Sequence, residues 1–599
     1  MKQLKFTVWV SAVGLIALLQ PRLLNMHAPS SCSIAFAPEW AKGAVFYQIF
    51  PERFRNGDRN NDPSSDKSQP IGKAHRWTSD WYALTPDEKK NSSKFYDNVF
   101  NRRYGGDLQG VLDKLGYLKD LGVEVIYFNP VFEAKSLHKY DATMYHHIDV
   151  NFGPNPAEDL KLIAKENPAN PDTWVWTNAD RLFLKLIREA HKQGIRIIID
   201  GVFNHTGRGF WAFQDVLKRQ QNSPYKHWYQ VISWNDSATG TTFDYNGWWG
   251  AKSLPEFSRD STFGLVKDVR DHIFAITKRW MMPDGNPDNG VDGWRLDVAD
   301  EVPHAFWKDW RSLVKAINPN AYLSGEIWKN AKEWLQGDEF DAVMNYPVAI
   351  ASVSYFINKT KKISATEFRK RLSEHLASYP DAANYGLMNL FESHDTDRLP
   401  SMIVNPDRDY DRDASPRHNP TYNTRKPNAA ERQIQKLMLL FQMTYIGSPM
   451  LYYGTEAGMW GADDPDDRKP MLWNDLVYDD ETLFTSSGTV ARQAVKFDQD
   501  LFEYHKRLIL LRKHSAALRK GTLTFLLSDD QKDVIGYERK FEHETAVVLL
   551  NNSTEKQTVE LRRDGEFKDL LSGQTFKPLG GVHTLELPAK SGVVLTTSF

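Results

Sequence analysis

The sequence predicts an α/β fold: a (β/α)8 TIM barrel with a subdomain inserted after strand 3 and an antiparallel β-sandwich at the C-terminal end. Three observations carry this expectation. Eight short apolar runs, rich in β-branched and aromatic residues, recur between residues 44 and 453, and longer amphipathic segments separate them. The stretch 206–262 is too long for an ordinary strand-to-helix connection. Beyond residue 516 the helical period gives way to alternation punctuated by turn residues.

In chain order, residues 1–37 read as a secretory signal: Lys2 and Lys5, an apolar run over 6–19, and a small-residue cleavage site at Ala35-Phe36-Ala37. The run is shorter than the roughly 20 residues that a membrane-spanning helix needs, and no later stretch is long and uncharged enough. The expected product is exported, periplasmic or secreted, with no transmembrane helix in the mature chain. Lipid attachment at Cys32 is an alternative fate of the leader. The first part of the barrel, 38–205, holds strand runs at 44–50, 123–129 and 195–202. The inserted subdomain, 206–262, carries Trp211, Trp228, Trp234, Trp248 and Trp249. The second part, 263–515, holds runs at 293–297, 322–326, 341–345, 386–391 and 450–453. Helical periodicity is clearest over 108–121, 181–193, 266–281 and 497–512, where crossovers are needed. The C-terminal module, 516–599, alternates over 533–537 and 545–550, with turns at Asn551-Asn552-Ser553 and Gly580-Gly581.

Composition narrows the function. With 75 Lys+Arg against 77 Asp+Glu the chain has a formal net charge of −2, so no overall field draws a polyanion, and no nucleic-acid recognition motif is present. A single cysteine excludes internal disulfides, thiolate zinc clusters and CxxC redox chemistry. Aromatic residues make up 13%, material for platforms that stack on flat, neutral ligands.

In a barrel of this kind, polar side chains at the C-terminal ends of strands share one mouth. Three such ends carry acids: Gly293-Trp294-Arg295-Leu296-Asp297, Ser324-Gly325-Glu326 and Ser393-His394-Asp395. Two carboxyl groups can divide glycosidic cleavage, one attacking the anomeric carbon and one protonating the leaving oxygen. The third can support the charged transition state. Taken singly, each acid reads more readily as a helix cap or a surface ion pair; three on different strands argue for a site. Arg295 lies two residues before Asp297, hence on the same strand face, where it would keep that carboxylate ionised. His205 and His394 could hydrogen-bond sugar hydroxyls.

These residues carry a resemblance. Phe46-Tyr47-Gln48-Ile49-Phe50-Pro51, the run from Gly122 to Asn129-Pro130, Asp200-Gly201-Val202-Phe203-Asn204-His205, Gly293 to Asp297, Gly325-Glu326-Ile327-Trp328, Ser393-His394-Asp395-Thr396, and Gly447-Ser448-Pro449 to Tyr453-Gly454 follow one another in order. Together they resemble the α-amylase family of retaining α-glycosidases (glycoside hydrolase family 13), most like its neopullulanase, cyclomaltodextrinase and maltogenic amylase group. Asp300-Glu301 departs from the Asn-Glu pair more typical of that group, and Leu254-Pro255-Glu256-Phe257-Ser258 matches its motif in part. The resemblance implies Asp297 as nucleophile, Glu326 as general acid/base and Asp395 as transition-state stabiliser. It also implies substrate contacts from His138, Tyr140, His205, Arg295, Trp328, His394 and Arg398. Trp248, Trp249 and Tyr453 are candidates for outer sugar subsites or for packing.

The loop Asn56-Gly57-Asp58-Arg59-Asn60-Asn61-Asp62 offers several oxygen ligands of the kind Ca²⁺ takes, though a solvated turn has the same composition. The resemblance implies a structural calcium ion held by Asn56, Asp58, Asn61, Asp62, the Gly105 carbonyl and Asp107. The expected activity is hydrolysis of α-1,4 links in cyclodextrins, maltodextrins, starch or pullulan. A 4-α-glucanotransferase using the same triad, or a non-catalytic sugar-binding barrel, remains as an alternative, and the oligomeric state stays open.

Overall fold

The computed structural model describes residues 36–63, 74–483 and 491–597. The expected signal run and Cys32 lie outside the described residues. Eight parallel strands form the barrel: β1 (Phe46–Ile49), β2 (Val125–Phe128), β3 (Arg196–Gly201), β4 (Gly293–Leu296), β5 (Tyr322–Gly325), β6 (Ala342–Val343), β7 (Met388–Asn389) and β8 (Ser448–Tyr452). Their order is β6-β5-β4-β3-β2-β1-β8-β7, and a parallel bridge between Met344 and Met388 joins the two ends. All eight predicted runs are strands. They read as near-continuous apolar stretches because a parallel barrel is covered on both faces.

The predicted helix over 108–121 is two, α1 (Leu108–Asp113) and α2 (Leu115–Leu121). They part at Lys114, whose N–H turns back to Val111 in a tightened turn. Then follow α3 (Asn178–Lys192), α4 (Trp211–Arg219), α5 (Lys267–Met281), α6 (His304–Ile317), α7 (Ala365–Ser378), α8 (Ala429–Thr444) and α9 (Gln499–His514). Thr177 and Asp180 close a capping box on α3, which buries Phe183, Leu186, Ile187 and Ala190 at helical spacing against the barrel. The connection from β5 to β6 has no helix; Ala331, Trp334, Leu335 and Phe340 fill its place.

Two further long excursions, described over 55–63 with 74–107 and over 129–177, rise from the ends of β1 and β2 beside the expected one after β3. In that last excursion α4 packs beside a two-stranded ladder, Val231–Ser233 with Asp244–Tyr245. The C-terminal module pairs β9 (Thr522–Asp529), β10 (Val534–Phe541), β11 (Glu544–Asn551), β12 (Gln557–Arg562), β13 (Phe567–Asp569), β14 (Thr575–Phe576), β15 (Val582–Leu587) and β16 (Ser591–Thr597) as two antiparallel sheets. One runs β9-β10-β11-β16-β13-β14 and the other β12-β15, with Val547, Leu549, Val559, Leu585, Leu587 and Leu595 buried in a common cluster.

Ala37, placed by the sequence at the end of the leader, is buried in the cluster of Ala41, Ala44, Phe46 and Met388, so the barrel unit begins a little earlier than expected. Arg512 of α9 is wholly buried at the same end. Its guanidinium donates to the carbonyls of Gly43 (2.9 Å), Met443 (2.7 Å), Tyr445 (3.1 Å) and Gly447. Replacing it with Met leaves these buried acceptors without donors. Arg512→Met should therefore lower stability by about 2–4 kcal/mol, read as a fall in thermal midpoint; an unchanged midpoint would show that the carbonyls find other donors.

Candidate active site

The strand ends build the site around one guanidinium. Arg295 on β4 is wholly buried. Its Nη1 lies 2.9 and 3.0 Å from the two oxygens of Asp200 and 2.8 Å from Asp297 Oδ1, and its Nη2 lies 2.8 Å from Glu326 Oε2. Period-two alternation puts Arg295 and Asp297 on the same strand face, as the spacing predicted. The backbone N–H of Val298 (2.9 Å) and Trp328 Nε1 (3.0 Å) donate to the two oxygens of Glu326, so the carboxyl group is aimed as well as charged. Val298 adopts φ 38°, ψ 49°, a left-handed conformation that costs a β-branched residue roughly 1–3 kcal/mol. That turn directs its N–H onto Glu326.

Asp200 receives the hydroxyls of Tyr127 (2.7 Å) and Tyr140 (2.9 Å). Tyr140 stacks on His394 with ring centroids 5.2 Å apart and planes 7° from parallel, and its hydroxyl meets His394 Nε2 at 2.6 Å. The amide of Gln48 on β1 joins His394 Nδ1 and Asn129 Oδ1, each at 3.0 Å. Asp395 stands at the mouth with 34% of its side chain exposed, 3.2 Å from His394 Nε2 and 3.3 Å from Arg468 Nη2. Arg468 also donates to the His394 carbonyl at 2.8 Å.

Four carboxyl groups, Asp200, Asp297, Glu326 and Asp395, thus face two guanidiniums. Burial raises Asp297 well above the ordinary aspartate range; Arg295 opposes this, and the charges of Glu326, Asp200 and Asp395 add to it. Partial burial in the pocket wall, reinforced by the charge of Glu326, pushes Asp395 up to about 7 even though its outer face meets water. Asp297 and Asp395 thus hold their protons more tightly than free aspartates do. Burial lowers His394 well below its usual range and takes His205 and His138 to about 3, so all three imidazoles are neutral.

The structure brings Asp297, Glu326, Asp395, Arg295, Tyr140 and His394 together. His205 adjoins them: it stacks on Trp248 at 5.0 Å, and its Nε2 is buried without a protein partner. His138 lies next door, accepting the Tyr140 N–H at 3.2 Å and lining a 140 Å³ cavity with Arg53, Asp464 and Arg468. Trp328 stacks on Tyr346 at 3.8 Å and orients Glu326. Both Trp248 and Trp249 anchor their indole N–H groups on Glu301, at 2.7 and 2.9 Å, and Trp249 is 85% exposed.

One expectation is corrected, and one open alternative resolves to packing. Arg398 does not face sugar: it is wholly buried, with its guanidinium on the carbonyls of Asp467 and Tyr453, both at 2.8 Å. Tyr453 is equally buried, its hydroxyl on the Lys469 carbonyl at 2.6 Å. Sequence reasoning assigned no role to Asp200, Tyr127, Gln48, Asn129 and Arg468. The ends of β1, β2 and β3 were the available signal for the first four; Arg468 comes from a long loop after β8 and had none.

The two loops proposed to hold calcium do meet. Asn56 Nδ2 bonds Asp62 Oδ1 at 2.6 Å, and a side chain at Gly105 would collide with both residues. The Oδ1 atoms of Asn56 and Asn61 are buried without protein partners. Asp58 turns to Asn60, accepting its backbone and side-chain N–H groups. The Asp107 carboxylate departs from the expected ligand role: it accepts from Gly57, Asp58, Gly110 and Asn61, which occupies its lone pairs and caps α1.

The raised pKa of Asp395 has a stability consequence. Its ionisation opposes folding, so its contribution is fully present below about pH 4 and is lost as pH rises toward 7. Asp395→Asn should melt higher than the parent at pH 8, with the gap closing as pH falls to 4. An equal or lower midpoint at pH 8 would contradict the burial assigned to this carboxyl.

Comparison with known proteins agrees with this geometry. The alpha amylase catalytic domain profile matches residues 48–168 and 177–521, and the maltogenic amylase C-terminal domain profile matches 523–594. Neopullulanase 2 of Thermoactinomyces vulgaris is 36% identical over 562 residues, covering 93% of this chain and 78% of that protein. A Bacillus cyclomaltodextrinase is 36% identical over 547 residues, 91% and 76% of the two chains. Among solved structures, a cyclomaltodextrinase superposes with TM-score 0.71 at 32% identity, over 94% of this chain and 80% of its own. The cyclic α-maltosyl-(1→6)-maltose hydrolase of Arthrobacter globiformis gives 0.68 at 28%, over 94% and 100%. Strand order, acid placement and these matches lead to one conclusion: the chain belongs to the α-amylase family of glycoside hydrolases.

Proposed function

We propose that this protein hydrolyses α-1,4-glucosidic bonds of cyclodextrins, maltodextrins, starch or pullulan with retention, through a covalent glycosyl-enzyme. The observation that carries this reading is the Arg295 bridge, which draws Asp297 and Glu326 to one guanidinium while Asp395 stands at the mouth. Close carboxyl pairs of this kind suit direct attack, whereas inversion needs room for a water between them. Asp297 forms a bond to the anomeric carbon as the glycosidic C–O bond breaks, and Glu326 gives its proton to the departing oxygen. Water then enters; Glu326 takes its proton, the new oxygen bonds to the anomeric carbon, and Asp297 is released. Asp395 supports the positive charge that develops on the sugar. Neutral His205 and His394 can bond hydroxyls without placing a cation against that charge. The expected leader, read from Lys2, Lys5 and the apolar run over 6–19, supports action outside the cytoplasm.

A structural Ca²⁺ fits the Asn56–Asp62 loop. Its ligands would be Asn56, Asn61, Asp62 and the Gly105 carbonyl with Asp58, while Asp107 organises the loop through its N–H bonds. The ion would tie 56–62 to 104–107 and take no part in bond cleavage. Chelation with EGTA should lower the thermal midpoint reversibly; no change on chelation would remove calcium from the account.

Asp297→Asn and Glu326→Gln should each cut kcat by about 10²–10⁴-fold or more. Parent-like turnover in either would overturn the roles given. The pH–rate profile should be bell-shaped, because the cluster must hold one proton and lack another. β-Cyclodextrin separates substrate readings: ring loss with early linear heptasaccharide, then maltose and glucose, supports a cyclodextrin-opening hydrolase. An intact ring beside rapid attack on linear maltodextrin moves the enzyme to chain-acting hydrolysis, and products longer than a linear substrate favour transfer.

A further inference from the structure

Behind the loop that carries Tyr140 lies a buried ionisable cluster that glycosidic cleavage does not use. His146 Nε2 and His147 Nε2 approach the same oxygen, Glu166 Oε1, at 2.8 and 2.9 Å. None of the three side chains is more than 1% exposed. His147 Nδ1 meets Asp180 Oδ2 at 2.7 Å, and that oxygen also accepts from Arg279 at 3.1 Å. Trp174 covers His146, its ring 4.4 Å away and 12° from parallel. His146 Nδ1 is buried without a protein partner.

We propose that His146 Nε2, His147 Nε2 and Glu166 Oε1 form a structural site for a divalent transition metal of the zinc class. Two imidazoles and one carboxylate are the donor set such ions take, and all three atoms lie within 4.8 Å of one another. Tetrahedral ligands bound at about 2.0–2.2 Å stand roughly 3.4 Å from each other, so the two His–Glu separations of 2.8 and 2.9 Å would open by about half an ångström around an ion. Both rings of these consecutive residues turn onto one oxygen, with centroids 4.6 Å apart. The outer bond from His147 Nδ1 to Asp180 is the support that metal-bound imidazoles ordinarily have.

The site reaches the catalytic pocket through positioning. It ties residues 146–147 to Glu166 and the start of α3, across a stretch, 169–176, that the family's catalytic profile leaves unmatched. Immediately beside it, Tyr145 donates to the carbonyls of Val202 (2.7 Å) and His205 (2.8 Å), and Asp149 pairs with Lys139 next to Tyr140. A metal there would brace the floor under both sugar-facing side chains without touching substrate.

The competing occupant is a proton. Against the burial that opposes it, the hydrogen bonds to Asp180 and Glu166 push His147 up to about 9. Metal binding would displace that proton. The test uses the full chain without a polyhistidine tag, purified and analysed for metals, then stripped with a chelator and titrated with Co²⁺ and Zn²⁺ in the presence of Ca²⁺. One transition-metal ion per chain, visible Co²⁺ absorption of a nitrogen-oxygen site, and a raised thermal midpoint with Zn²⁺ are expected. Glu166→Gln should weaken binding by at least about tenfold, and His146→Gln should abolish the Co²⁺ spectrum. No stoichiometric metal, no Co²⁺ bands and an unmoved midpoint in the parent protein would overturn the proposal and leave the proton as the occupant. These readouts are independent of turnover, so they stand or fall separately from the proposed hydrolysis.

Discussion

The buried Arg295 guanidinium is the constraint on which the site depends. One group, sealed from water, holds Asp200, Asp297 and Glu326 to fixed positions on three adjacent strands. In low dielectric, that arrangement sets geometry and charge together. Removing the guanidinium would leave three neighbouring carboxyl groups repelling one another, and at least one would move or take up a proton. The barrel supplies what the arginine requires: parallel strands in register, so that Asp200 sits opposite Arg295 and Leu296 opposite Gly325.

Around this centre the protein invests in orientation. The left-handed turn at Val298 and the indole of Trp328 aim Glu326; Gln48 and Arg468 fix the two sides of His394. Each of these groups acts through another, and each lies on a different strand end or loop. Arg468 shows what a long excursion adds: it comes from the loop after β8 and reaches both Asp395 and the His394 carbonyl. The buried arginines Arg398 and Arg512 work similarly at a distance, satisfying carbonyls where loops and helices cross.

Much of this was legible in the sequence. Buried parallel strands leave uninterrupted apolar runs, and all eight appear as such. The triad was readable because Asp297 and Glu326 directly follow β4 and β5 and Asp395 follows β7 by six residues, and the i, i+2 spacing of Arg295 and Asp297 fixes a shared face. What stayed hidden depends on tertiary approach. Asp200 has no local signature distinguishing an arginine clamp from a helix cap. Arg398 sits beside the third acid in sequence, yet its guanidinium turns away to the 453 and 467 carbonyls, a choice no spacing rule encodes. The resemblance implied Asp107 as a calcium ligand, but its oxygens accept from four N–H groups. The break at Lys114 and the missing helix between β5 and β6 follow from packing against neighbours. The cluster at His146 and His147 depends on Glu166, nineteen residues beyond His147, folding back beneath Trp174.

The central claim is that the bridged carboxyl groups differ in role, with Asp297 forming the bond to sugar. Trapping the intermediate with a 5-fluoro-α-glucosyl fluoride and locating the label by peptide mass spectrometry tests this directly. A glycosyl ester on the peptide containing Asp297 is the predicted result. A label on Glu326 or Asp395, or release of product with inverted anomeric configuration and no trapped ester, would contradict it.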